Sequence, residues 1–147
     1  GEPSIVDTWE RLVRFHRTAT DHMDAHLREK FGRSLDDYDV LHQIHANRDP
    51  IRMGDLAERL LVANSSCNRI VGRLDAAGLV SRSHDDRDRR AVLVALTTEG
   101  RALRRRMATV HTRDIHRILG SLLDRDDRAD LDRVLQRLLA GGETDRQ

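Results

Sequence analysis

The longest uninterrupted apolar run in this chain is six residues, Ala91–Leu96. A bilayer-spanning helix needs about 20, so no segment can cross a membrane as a helix. The run is rich in Val and Leu and reads as a strand whose alternate positions face a core. The rest of the 147 residues carries mostly helical spacing. Hydrophobic residues make up 38% and charged residues 35%. That suffices for the core of one domain and leaves a large solvated or partner-facing surface. Cys67 is the single cysteine, so neither an intrachain disulfide nor a four-thiolate zinc site can form within one chain. The start has no basic segment leading into an apolar stretch, so no secretory signal is expected. A cytoplasmic, reducing location is the expectation.

The spacing predicts six helices. Ile5, Trp9, Leu12, Val13, His16, Ala19, Thr20, Met23 and Leu27 form one stripe of a long helix running to about Lys30, with Gly32 as a left-handed cap. A second helix is expected over Ser34–His45. Ser34 caps it, Asp36 and Asp37 sit in its first turn, and Leu35, Tyr38, Leu41, Ile44 and His45 share a face. Asn47–Pro50 reads as a turn. A short helix over Met53–Leu61 turns Leu56, Ala57 and Leu60 inward. After a break, a fourth helix over Ser65–Ala77 turns Cys67, Ile70, Val71 and Leu74 inward, and Gly78 stops it. Two short helices joined by a tight turn, the second with a polar and basic outer face, make a helix-turn-helix pattern.

A hairpin follows: Leu79–Arg82, a charged tip over His84–Arg90, and Ala91–Leu96. Thr97 or Thr98 caps a fifth helix of about twenty residues, with Leu103, Met107, Val110, Asp114 and Ile118 along one stripe. Asp124 caps a sixth, whose inward residues are Leu131, Val134, Leu135, Leu138 and Leu139 and whose end is expected at Gly141-Gly142. Glu143–Gln147 is expected to fray.

The net charge of +1 hides an uneven distribution. Residues 101–117 hold six arginines against one acid, and residues 64–90 hold six against four. Such local asymmetry suits an anionic partner. With its apolar residues turned inward, the fourth helix leaves Ser65, Ser66, Asn68, Arg69 and Arg73 outside. Hydroxyls and amides there can hydrogen-bond bases or phosphates, and guanidinium forks suit guanine or phosphate. The same segment also reads as an ordinary polar face with a cap. Arg104, Arg105 and Arg106 cannot share one helix face, so they are expected to solvate a helix or pair with acidic neighbours.

The order helix, helix, helix-turn-helix, basic hairpin, long helix, final helix is that of a winged helix-turn-helix with flanking helices. Asp55-Leu56-Ala57-Glu58-Arg59-Leu60, then Asn68 through Val80, and above all Asp88-Arg89-Arg90 followed by five residues, Leu96-Thr97, and Gly100 resemble the MarR family (multiple antibiotic resistance regulators). The strong resemblance covers Met53–Leu103. It implies a mainly α fold with a small β-hairpin wing. Residues 1–147 would be one domain, with a DNA-binding lobe over 34–100 and dimerisation helices over 1–30 and 101–140. It implies a homodimer on double-stranded DNA with a pseudo-palindromic site, two recognition helices lying about one turn apart. The DNA-binding set is then Ser65, Ser66, Asn68, Arg69, Arg73, Arg87, Asp88, Arg89 and Arg90. Arg90 would enter the minor groove while Asp88 orients it. Ala63 stands where family members often carry a capping Ser or Thr.

The resemblance also implies a small-molecule inducer, commonly an aromatic anion, held between the terminal helices and the DNA-binding lobe. Trp9, Arg14, His16, Tyr38, Asp39 and His42 are candidates by element placement. Trp9 also reads as a core or dimer-interface residue. No metal site is expected: His22/His26 have a chelating spacing, but His111 and His116 are five apart and poorly aligned. Cys67 reads as a small buried hydrophobe. No cofactor is expected. The chain shows no glycine-rich phosphate loop, activated nucleophile or convincing carboxylate pair, so enzymatic activity is not expected. The expected function is a repressor released by a ligand; a metal- or redox-gated regulator or an activator are the alternatives, and a helical interaction module the remaining one.

Overall fold

The computed structural model describes residues 1–60 and 62–144. Helix α1 spans Ile5–Phe31. Ser4 caps it in a reciprocal box: Ser4 Oγ accepts the Asp7 N–H at 3.1 Å and Asp7 Oδ2 accepts the Ser4 N–H at 3.3 Å. Gly32, at φ 66°, closes it in the left-handed region. The predicted stripe divides in two. Ala19, Met23 and Leu27 are buried, whereas Ile5, Trp9, Leu12 and Val13 stay exposed.

Helix α2 spans Leu35–Ala46, with Ser34 Oγ accepting the Asp37 N–H. Its start is tied to α1 by the Leu35 N–H, which donates to Asp24 Oδ1 at 2.8 Å. Tyr38, Val40, Leu41 and Ile44 are buried. One expectation needs correction: His45 lies exposed, outside the inward face. Asp37 sits in the first turn as expected, and it is also buried.

The expected hairpin is part of a three-stranded antiparallel sheet, β1-β3-β2: β1 (Ile51–Arg52), β2 (Val80–His84) and β3 (Val92–Leu96). β1 has two residues, too few to show a period in sequence. Val80 faces Leu96, Arg82 faces Val94, and Ile51 pairs with Val94 on the other edge. Ile51, Val80, Val94 and Leu96 are buried, so the inward alternation expected of the apolar run is present.

Helices α3 (Met53–Leu60) and α4 (Asn64–Ala76) form the helix-turn-helix. Leu61, the expected last residue of α3, lies outside the described residues, as do residues 145–147 of the expected frayed tail. Leu56 and Ala57 of α3 and all four inward residues expected of α4 are buried. Ala63 precedes α4 without a side-chain cap bond. Gly78, at φ 75°, lets the chain leave α4.

Helix α5 spans Thr98–Ile115 and passes into a π-helical turn over His116–Gly120. Thr97 fastens its start. The Thr97 hydroxyl donates to the Gly78 carbonyl at 2.7 Å and accepts the Gly100 N–H at 3.0 Å, while the Thr97 N–H donates to the Leu79 carbonyl at 3.1 Å. A Cβ on Gly100 would lie 1.9 Å from the Leu79 carbonyl oxygen. The Leu-Thr-x-x-Gly element is therefore a joint at which α4, β2, β3 and α5 meet.

The chain resolves into two compact units, residues 1–111 and residues 112–147. Met107 belongs to the core of the first unit, with Leu103, Ala108 and Val110 packed on it. In the second unit, α6 spans Arg125–Thr144, capped by Asp124 Oδ1 accepting the Asp127 N–H. It runs through Gly141-Gly142, a correction to the expected stop. Among described residues only Gly32 and Gly78 are glycines with positive φ, and a glycine that keeps helical dihedrals weakens a helix without ending it. Val134, Leu135, Leu138 and Leu139 of α6, expected to face inward, are exposed on the single chain.

Candidate nucleic-acid interface

The interface is built on the start of α4 and the tip of the β2–β3 hairpin. Burial of Cys67, Ile70, Val71 and Leu74 fixes the rotation of α4. Ser65, Asn68 and Arg69 are consequently turned outward, and Ser66 lies beside them on the first turn. Arg73 is outward too, but it is engaged: its Nε and Nη2 donate to Asp37 Oδ1 at 3.2 and 2.5 Å.

At the wing, Asp88 shapes the tip. Its Oδ1 accepts the Arg90 N–H at 3.1 Å and faces Arg90 Nε at 3.4 Å. Its carbonyl accepts the Ala91 N–H. The Arg90 side chain is 94% exposed. A surface pair of this kind adds little stability, so its consequence is directional: Asp88 holds the base of an arginine whose fork projects into solvent. Arg87 and Arg89 belong to the same tip.

Asp85 anchors this tip to β1, an element the sequence did not reveal. Asp85 Oδ2 accepts Arg52 Nη2 at 2.7 Å, and Oδ1 accepts the Arg87 N–H at 3.0 Å. The Arg87 amide, and then the Arg52 guanidinium, hold the Asp85 carboxyl below its usual range.

Asn68 of α4 and Arg90 of the wing line one cleft, together with Arg52, Met53, Gly54, Asp55, Asn64, Ala91 and Val92. The fold thus brings together two residues singled out from separate sequence segments. Arg52 and Asn64 were missed; neither sits in a periodic pattern. Asp37 had a usable signal, since it falls four and seven residues before the buried Leu41 and Ile44.

The ligand candidates occupy two places. Trp9 and Arg14 line a shallow groove with Glu10, Val13, Arg17 and Thr18, all of α1, and His16 is exposed on the same helix. Tyr38 and His42 lie elsewhere: their rings stack at 5.6 Å, and Tyr38 meets His111 at 4.9 Å. His42 Nδ1 and Arg104 Nε are buried with no hydrogen-bond partner among the described residues. Burial, and then the Arg104 charge, push the His42 pKa down. Burial, reinforced by Asp36, pushes Asp39 up to about 6.

Cys67 is buried with Sγ 3.8 Å from Met53 Sδ, and burial raises its thiol pKa. No group of three or more His, Cys, Asp or Glu side chains that could hold a metal ion occurs among the described residues. Nor is any described helix long and apolar enough to cross a membrane.

The MarR family model matches residues 31–91, from the end of α1 to the wing. The solved structure of AbsC, a MarR family regulator from Streptomyces coelicolor, superposes with a TM-score of 0.87 over 98% of this chain and 99% of that one, at 24% identity. A mutant MarR from E. coli complexed with operator DNA superposes with a TM-score of 0.75 over 93% of this chain and 99% of that one, at 26% identity. The likeness to the MarR family is carried by residues 31–91, and the likeness in fold by nearly the whole chain. Among curated relatives, the uncharacterized HTH-type transcriptional regulator YfiV of Bacillus subtilis is 33% identical over 57 residues, 39% of this chain and 36% of YfiV. The matched region therefore spans about a third of that relative. Like the MarR structures it superposes on, this chain is a mainly helical winged helix-turn-helix protein, here with a three-stranded sheet.

Proposed function

We propose that this chain is a dimeric, sequence-specific DNA-binding transcriptional regulator of the MarR family, acting as a repressor released by a small aromatic or anionic ligand. One observation carries the DNA reading: Asn68 and the projecting Arg90 flank a single cleft at the start of α4. A helix start beside a basic hairpin tip matches a major groove next to a minor groove. The operator complex of the structurally similar E. coli MarR supports the reading.

Dimerisation is supported by apolar residues that one chain leaves in water: Ile5, Trp9 and Phe15 on α1, and Leu138 and Leu139 on α6. Exposed apolar faces of this extent mark association surfaces. A ligand is supported by the buried, unpartnered His42 Nδ1 and Arg104 Nε, with the Tyr38 ring stacked on His42. An anion with an aromatic body would satisfy such groups.

The test is selection from a pool of random duplexes at several salt concentrations. The expected outcome is a pseudo-palindrome, bound with an affinity that falls steeply as salt rises. Enrichment of no sequence above nonspecific binding, with zinc absent or added, would overturn the reading.

A further inference from the structure

We propose that Asp37 is a positioning residue for DNA recognition: it clamps Arg73, fixes the recognition helix α4 against α2, and leaves Arg69 as the guanidinium of α4 available to DNA. The inference rests on the DNA-binding reading above and assigns two arginines of one helix to different tasks.

The Asp37 side chain is only 4% exposed. Both its oxygens are used. Oδ1 accepts Nε and Nη2 of Arg73, and Oδ2 faces Arg33 Nη1 at 3.5 Å. Its backbone N–H donates to Ser34 Oγ at 3.0 Å. One carboxylate on α2 thus holds a residue of α4 that lies 36 positions away in sequence. Arg73 directly precedes Leu74, which is fully buried, so the clamp sits at the edge of the core.

If Arg73 left Asp37 to reach a phosphate, a buried charge would lose its short bonds and keep only the longer Arg33 contact. Stranding a buried charge is strongly unfavourable. Arg73 therefore stays with Asp37 when DNA binds. A second pair holds the same last turn of α4, Arg82 of β2 with Asp75 at 2.9 Å. Arg69 lies one turn before Arg73 on the outer face, and among the described residues neither Asp37 nor Asp75 engages it. Recognition requires side chains whose support is locked by neighbours, and a helix seated by its buried face and pinned twice at its last turn gives Arg69 and Asn68 that support.

The test measures affinity for the selected duplex and for a random duplex across salt, for the wild type, Arg73→Gln, Asp37→Asn and the double variant. Arg69→Gln and Arg90→Ala serve as references. The clamp predicts that Arg73→Gln and Asp37→Asn each weaken specific binding about tenfold, with the salt slope unchanged. The double variant should be no weaker than the weaker single one. A direct phosphate contact predicts instead that Arg73→Gln lowers the slope by about one per subunit while Asp37→Asn binds normally; that result, or additive losses, would overturn the clamp.

If Asp37→Asn does not fold, the Arg73 Nε–H resonance of the wild-type protein decides. It should be protected from exchange without DNA and keep its position as the selected duplex is added. Movement on titration would overturn the proposal. If the wild-type protein selects no duplex, the DNA-binding reading falls and the positioning role with it. A protected Nε–H in that case separates this failure from an absent clamp.

Discussion

The recognition helix and the wing carry similar side chains on different foundations. α4 is seated by four buried apolar residues and by two arginine–aspartate pairs to α2 and β2. The wing tip is shaped by backbone turns and the half-buried carboxylates of Asp85 and Asp88, with Arg90 almost wholly in water. Buried area sets the first; local hydrogen bonds set the second. The comparison teaches that arginine content alone does not tell which guanidinium is engaged within the fold. Arg73 and Arg90 are both outward arginines in basic segments, yet one is bound by a buried acid and the other, held only at its base by Asp88, projects into solvent.

The joint shared by the two regions offers the largest expected effect. Gly100→Ala would drive a Cβ into the Leu79 carbonyl, a backbone oxygen that cannot swing aside. We expect a destabilisation of about 4 kcal/mol or more, seen in thermal unfolding, with helix and wing lost together. Unchanged melting would show that the joint is softer than its geometry.

Next comes a change confined to the helix foundation. Leu74→Ala removes a fully buried side chain from α4. It should cost about 2–5 kcal/mol in denaturant unfolding, with DNA affinity falling only as the folded fraction falls. The wing counterpart is Arg90→Ala. This variant should melt as the wild type does and lose about 1–3 kcal/mol of specific DNA binding. The pair would lose its contrast if Arg90→Ala melted early or bound normally.

The smallest effect is electrostatic. Folding lowers the Asp85 pKa, so its contribution is present above the unfolded value of about 3.9 and disappears as pH falls through the lower folded one. Amide exchange at Arg87 should therefore stay slow at pH 5 and quicken only below about pH 4. The Asp85→Asn variant should show fast exchange at both. The protection of α4 amides should not follow this titration, because apolar burial holds that helix.

Much of the lobe was legible in the sequence because its signals are local. Cys67, Ile70, Val71 and Leu74 repeat at helical spacing and are buried together. Gly32 and Gly78 mark turns and take positive φ. Ser34 and Asp124 cap the helices they precede. The wing motif, Asp88 to Gly100, announced its strand and the Thr that starts α5, but not the joint they make with Leu79. What escaped reading had no period or depended on distant partners. β1 is two residues long and exists only because β3 offers it an edge. The apolar positions of α6 show the helical period, but no such pattern says whether their cover comes from the same chain.

The candidate site divides the same way. Asn68 and Arg90 could each be named from residue type and neighbourhood. That they flank one cleft, with Arg52 and Asn64, follows from the sheet register and the rotation of α4. Arg73 could not be separated from Arg69 in sequence, since both lie on the outer face one helical turn apart. Their difference is decided by a carboxylate on another helix.

The sequence by itself determined which segments coil, where most of them stop, and which face of each helix is apolar, because these depend on neighbours within a few residues. Tertiary structure alone decided which half of the α1 stripe finds cover, how the wing is moored, and which arginine is clamped. Those outcomes depend on burial and on charge pairing between residues tens of positions apart, and it is there that a buried carboxylate such as Asp37 can bind one guanidinium and leave its neighbour open to solvent.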